Sequence, residues 1–172
     1  ECIAQIGTFN ASMTGQGTNN YVLCFGDQLS ILSNNDYVAP YEMFNPPGPA
    51  YNPGIAWVMY SCPPTVALTP TAGQTLADDP CFLGFFTNGN FNDVNDGSTI
   101  GAYPAGTFTD NTVYFVPVTM YSMSGGVESY VNAGLPCYET GTVYEVTYLH
   151  DFSYSVVEDC QTGTAEVTLN GA

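Results

Sequence analysis

A chain with neither lysine nor arginine cannot hold itself together with side-chain ion pairs. It carries 16 Asp and Glu against a single histidine, His150, and its formal net charge is −16. An average chain has roughly a tenth of its residues as Lys plus Arg. Folding here has to rest on burial, hydrogen bonds and covalent cross-links. The same absence bounds function. No cation is present to displace phosphate counterions, which argues against nucleic acid as a partner. Attraction to an anionic membrane surface fails for the same reason. There is no lysine for a Schiff base or an isopeptide cross-link, and no site for a trypsin-like protease. No apolar run reaches the roughly 20 residues needed to span a bilayer, so membrane insertion is not expected. No signal peptide stands at the start, so Glu1 either follows processing or opens a segment of a longer chain.

Helix signals are sparse, because 12 Pro and 18 Gly interrupt any sustained 3.6-residue period within the 172 residues. Strand signals recur instead. "YVLCF" (21–25) and "QLSIL" (28–32) flank a Gly-Asp turn pair. "GIAWVMYSC" (54–62) is apolar on both faces, the pattern of a central buried strand. "CFLGFF" (81–86) is a short apolar run, and "TVYFVPVTMY" (112–121) is two-sided, with Pro117 demanding an edge or a bulge. "TVYEVTYL" (142–149) alternates. The closing stretch 164–169 points Ala165, Val167 and Leu169 one way and Glu166, Thr168 and Asn170 the other. These signals predict an all-β fold of about nine to eleven strands, an antiparallel β-sandwich. Two long connections interrupt it. Residues 34–54 are rich in Pro and Tyr, and residues 87–111 in Asn, Asp and Gly. Loops of that length are usually functional or interaction surfaces.

Six cysteines, Cys2, Cys24, Cys62, Cys81, Cys137 and Cys160, are an even set in an acidic chain. They point to an oxidising compartment and three disulfides. Fifteen pairings are open. The sequential one, Cys2/Cys24, Cys62/Cys81 and Cys137/Cys160, is favoured here because the cysteines fall in neighbouring couples. Each loop of about 20 residues would contribute on the order of 3 kcal/mol. No CxxC spacing suggests a metal-thiolate site.

Few residues assemble into chemistry. His150-Asp151 is the one His–carboxylate pair, but a catalytic dyad also needs a nucleophile and the cysteines are expected to be oxidised, so it reads as a polar turn. No catalytic residue is assigned, and no cofactor is implied unless it is calcium. "NDVNDGS" (92–98) gathers Asn92, Asp93, Asn95, Asp96 and Ser98, and Asp93, Asn95 and Asp96 are the candidate Ca²⁺ ligands. An Asx-rich turn cluster is the commoner use of such residues. The spacing does not reproduce an EF-hand loop, and Asp78-Asp79 would have to contribute from a distance. Asn10-Ala11-Ser12 is the one glycosylation sequon, with Asn10 as acceptor. Thirteen Tyr and ten Phe suit packing and interfaces.

Several of these segments have a familiar form. "ECIAQIGTF" followed by "VLCFGDQLSI" resembles the Cys-x-Ala-x-x-Gly-Thr … Cys-x-Gly-Asp opening of repeat modules in large surface proteins of Bacteroidota, many of them exported by type IX secretion. "GIAWVMYSCPPT" and "VYFVPVTMY" resemble later strands of those modules. "EDCQTGTAEVTLNGA" is similar to the start of the short repeats of gliding adhesins. The resemblance implies an Ig-like β-sandwich over residues 1–150. Residues 151–172 would be a terminal strand segment that completes or begins a neighbouring module. It further implies an extracellular, non-enzymatic subunit or repeat of a pilus-like surface fibril or adhesin, whose partner is itself. Such a module would assemble head-to-tail by β-strand complementation, with Ala165, Val167 and Leu169 as the assembly strand. The long 87–111 loop departs from the family pattern. The other readings are a cell-surface module binding surface glycans and a secreted hydrolase.

Overall fold

The computed structural model describes residues 2–13, 15, 17, 19–41, 53–66, 68–120, 131–132 and 135–170. Fourteen strands follow in chain order. They are β1 (Ile3–Gln5), β2 (Phe9–Ala11), β3 (Asn20–Leu23), β4 (Gln28–Ser33), β5 (Val38–Tyr41), β6 (Gly54–Tyr60) and β7 (Phe82–Asn88). Next come β8 (Phe91–Val94), β9 (Thr112–Met120), β10 (Val131–Asn132), β11 (Leu135–Pro136), β12 (Tyr144–Tyr148), β13 (Ser153–Asp159) and β14 (Thr164–Asn170). Among the described residues helix is confined to a 3-10 turn at Leu76–Asp78 and one turn, α1, at Ser98–Gly101. The all-β expectation holds. The strands exceed the expected number because several are only two to four residues long.

A five-stranded sheet runs β3-β12-β9-β6-β7, and a three-stranded sheet runs β2-β4-β8. Their facing sides share one apolar cluster: Leu29, Ile31 and Phe91 from the smaller sheet, Trp57, Phe115 and Val146 from the larger. Phe91 meets Phe115 at 4.8 Å and Trp57 at 5.2 Å between ring centroids. The indole N–H of the buried Trp57 donates to the Gly89 carbonyl at 2.7 Å, so no polar atom of that ring is stranded. Not every pairing is antiparallel, because β3 runs parallel to β12.

The two-sided strands behave as their composition demands. Residues 55–60 of β6 are all buried. The second face of β6 and β9 packs Ala56, Val58, Val116 and Val118 under Leu76 and Tyr138. Asp79 fastens this cover: its carboxylate accepts from the backbone N–H groups of Thr65, Val66 and Cys81 at 2.7–2.8 Å. Pro117 sits in the central strand β9, opposite Trp57. Its flank toward β12 is where the register changes, from Tyr144↔Phe115 to Thr140↔Val118. Two residues of β9 there oppose three of the other strand, which is a bulge. The N–H that proline lacks is not missed in that irregular stretch.

Two corrections to the expected layout follow. First, the disulfides join Cys2 to Cys137 and Cys62 to Cys81, while Cys24 and Cys160 are free and exposed. Of the sequential couples only Cys62/Cys81 is present. The physical reason is that the N-terminal segment runs beside residues 137–139, where Ile6 N–H donates to the Glu139 carboxylate. That course carries Cys2 to Cys137, so neither Cys2/Cys24 nor Cys137/Cys160 forms. Second, the 87–111 stretch is not an open loop: it contains the end of β7, then β8 and α1. Most of the Pro/Tyr-rich 34–54 connection, residues 42–52, lies outside the described residues, while its start forms β5 against β1. The two disulfides fit an oxidising compartment. Among the described residues no helix is long and apolar enough to cross a membrane.

Candidate functional site

The site begins where β12 ends. Its last residue, Tyr148, is buried and donates its hydroxyl to Asp93, which also accepts from Thr99 Oγ1 at 3.0 Å. Beside it the buried Asn95 side chain donates from Nδ2 to the carbonyls of Leu23 (2.9 Å) and Leu149 (2.7 Å). Leu149 N–H donates to the Leu23 carbonyl at 2.9 Å. These bonds clamp the exit of β12 to the ends of β3 and β8. Burial raises the Asp93 carboxyl pKa despite the Tyr148 and Thr99 donors, with nearby Asp96 adding to the rise. The Tyr148 hydroxyl is pushed up as well, by burial and by Asp93.

Beyond this clamp burial stops. Every residue from Leu149 to Asn170 is exposed. Strands β13 and β14 pair with each other in unbroken register from Ser153↔Asn170 to Asp159↔Thr164, and with no other strand among the described residues. The turn between them is set by Asp159, whose carboxylate accepts from Gln161 N–H (2.9 Å) and Thr162 N–H (3.3 Å). The Thr162 side-chain hydroxyl first, and then these two backbone donors, hold its carboxyl below the usual range. Gly163 takes φ +66°, a left-handed conformation that suits a residue without Cβ.

Directly opposed residues of an antiparallel pair share a face. One face of this hairpin therefore carries Tyr154, Val156, Ala165, Val167 and Leu169, with Glu158 near the turn. The other carries Ser153, Ser155, Thr164, Glu166, Thr168 and Asn170, with Val157 as its one apolar member. On the apolar face Tyr154 is 67 %, Val167 59 % and Leu169 72 % exposed. A hairpin of two strands alone is marginal in water, and among the described residues neither outer edge of this one has a strand partner. The arrangement can gain by being covered.

The other residues singled out from the sequence disperse. Ala165, Val167 and Leu169 do share a face, but their strand partner is β13 of the same chain. Asp93, Asn95 and Asp96 do not converge. Asn95 turns its amide N–H groups to the two carbonyls, Asp93 faces Tyr148 and Thr99, and Asp96 accepts from Ser98 N–H at 2.8 Å. Among the described residues no three His, Cys, Asp or Glu gather into a metal site. Asn10 lies in β2, exposed, with its Nδ2 donating to Asn34 Oδ1 at 2.6 Å. His150 meets Asn111 at 2.8 Å. The sequence reading missed β13, where the Val156-Val157 doublet breaks strict alternation, and it missed the free thiols, which depend on where distant segments run. No family model, curated protein or solved structure matches the chain.

Proposed function

We propose that the chain is an extracellular, non-enzymatic structural module, a subunit or repeat of a surface fibril or adhesin. It associates head-to-tail with copies of itself through the terminal hairpin. The observation that carries this reading is the hairpin itself: a ribbon of about 23 Å, at roughly 3.3 Å per residue, with an apolar face that its own body leaves uncovered. The resemblance of the sequence to Ig-like surface modules points the same way. The strand order β12-β9-β6-β7 opposite β4 and β8 supports an Ig-like assignment of the sandwich, matching a GFC sheet extended by one strand. The test is sedimentation and negative-stain microscopy of the full chain against a chain lacking residues 153–170. Filaments from the first and monomers from the second are expected. Monomers from both, or filaments from both, overturn the reading.

A second reading, a glycan-binding module, is favoured by one feature. An open recess of about 330 Å³ beside the edge strand β7 is lined by Met59, Phe85, Phe86, Thr99 and Tyr103. The exposed Phe85 ring, beside the half-buried Phe86 and Tyr103 and the Thr99 hydroxyl, suits a sugar face. Retention on a glycan column with elution by free sugar, abolished by Phe85→Ala, is what this reading requires.

A further inference from the structure

The two free cysteines stand at the two ends of the hairpin. Cys24 is at its root: it follows Leu23, whose carbonyl takes the Leu149 N–H just before the chain leaves the body. Its position is set, because Cys24 N–H donates to Asp27 Oδ2 at 2.9 Å and Asp27 N–H returns to the Cys24 carbonyl at 3.0 Å. Cys160 is at the far end, in the turn between β13 and β14. Both are exposed and unbonded, in a chain whose other four cysteines are paired. An arm of about 23 Å lies between root and tip, whereas bridged Cα atoms lie within about 7 Å.

We infer, resting on the self-assembly reading above, that Cys160 at the hairpin tip of one copy forms a disulfide with Cys24 at the hairpin root of a second copy. The same contact covers the apolar face. The area is adequate. At exposures of 47–72 %, Phe152, Tyr154, Val156, Val167 and Leu169 put roughly 500 Å² on and beside one face. That is most of the roughly 800 Å² that one partner of a standard interface buries. The exposed Phe25 and Leu149, which line a cavity of about 170 Å³ at the root, extend the apolar surface there. A second copy is the occupant because it offers both halves of the match. Each copy presents one thiol as donor end and one as acceptor end, so a row of copies uses every cysteine once.

The chemistry is thiol–disulfide exchange. Two thiols give one Sγ–Sγ bond, and their two protons and two electrons pass to a small-molecule disulfide, which leaves as two thiols. Glutathione disulfide serves as that oxidant in the test. The full chain is treated with it and run under denaturing, non-reducing conditions. Linked peptides are then mapped after chymotrypsin digestion, since trypsin has no site.

The expected result is a ladder of multimers that collapses on reduction, with the Cys24 and Cys160 peptides linked to each other. Cys24→Ser and Cys160→Ser each abolish the ladder. An equal mixture of the two variants gives dimers and nothing larger, because only one junction can form. A Cys160–Cys160 link, seen as dimers of Cys24→Ser alone, overturns the inference. So does a Cys24–Cys160 link within the monomer, read as a loss of two hydrogens from its mass. If filaments form unchanged in both serine variants, the inference fails and the assembly reading stands. If the wild type stops at a reciprocal dimer with two Cys24–Cys160 links, the inference stands and head-to-tail growth fails.

Discussion

Asp79 and Asp93 are both carboxylates withdrawn from water, and their neighbours drive them in opposite directions. Burial raises the Asp79 pKa, but three backbone N–H donors outweigh it, and its carboxyl ionises below the usual range. Its stabilisation is therefore present above the unfolded value of about 3.9 and is lost as pH falls through the folded value. Asp79→Asn replaces one acceptor by a donor aimed at donors, in a side chain only 3 % exposed. A loss of about 2–4 kcal/mol at pH 7 is expected by chemical denaturation, shrinking toward pH 3. At Asp93 burial wins, so the folded protein holds the proton more tightly than the unfolded chain. That penalty grows as pH rises from about 3.9 through the folded value. Asp93→Asn keeps an oxygen for Tyr148 and removes the buried charge. Its midpoint at pH 7 should equal or exceed wild type, with the advantage gone near pH 3. A loss at pH 7 larger than at pH 3 would show that the Tyr148 bond needs the full charge.

At the scale of elements, the terminal hairpin buries nothing, and that decides what its removal does. Deletion of residues 153–170 should leave the unfolding free energy of the body within about 0.5 kcal/mol of the full chain. Chymotrypsin should cut the unassembled chain first after Phe152 and Tyr154, well before the buried Tyr and Phe residues of β6, β8 and β9, and assembly should slow that cut. First cleavage inside the body would mean that the sandwich opens more readily than the hairpin frays. The elements differ in how legible they were. Strands β6 and β9 announced themselves because both faces are buried, leaving uninterrupted apolar runs. Strand β12 did so through alternation. Strand β8, Phe91–Val94, looked like turn material because Asn92 and Asp93 are turn formers, and Asp93 shares the inner face of Phe91 only because Tyr148 and Thr99 bond its carboxylate. Its identity comes from register with β4, which is tertiary information. The hairpin's amphipathic face was half visible: Ala165, Val167 and Leu169 could be read, while their partners Tyr154 and Val156 required the register.

For the whole molecule, net charge of −16 with no compensating cation opposes any association of like copies. The opposition is screened over about 10 Å at 0.1 M salt and about 3 Å at 1 M. Assembly followed by light scattering should strengthen across that range, and weakening with salt would point to a contact made by charge. The Cys2–Cys137 bridge spans 135 residues of sequence. In the chain-entropy model Cys2→Ser costs about 5 kcal/mol, whereas Cys24→Ser should be near neutral in the monomer. The same closure, together with the parallel pairing of β3 to β12, ties residues 2–23 to residues 137–148. During synthesis β1 and β2 meet β5 and β4 within about forty residues, but β3 waits more than a hundred further residues for β12. The loop entropy is met before the contacts repay it, so this topology folds slowly by the standards of its size. An emerging chain of this kind stays open until Tyr148 is free, and the residues from Leu149 to Asn170 then leave an already closed body.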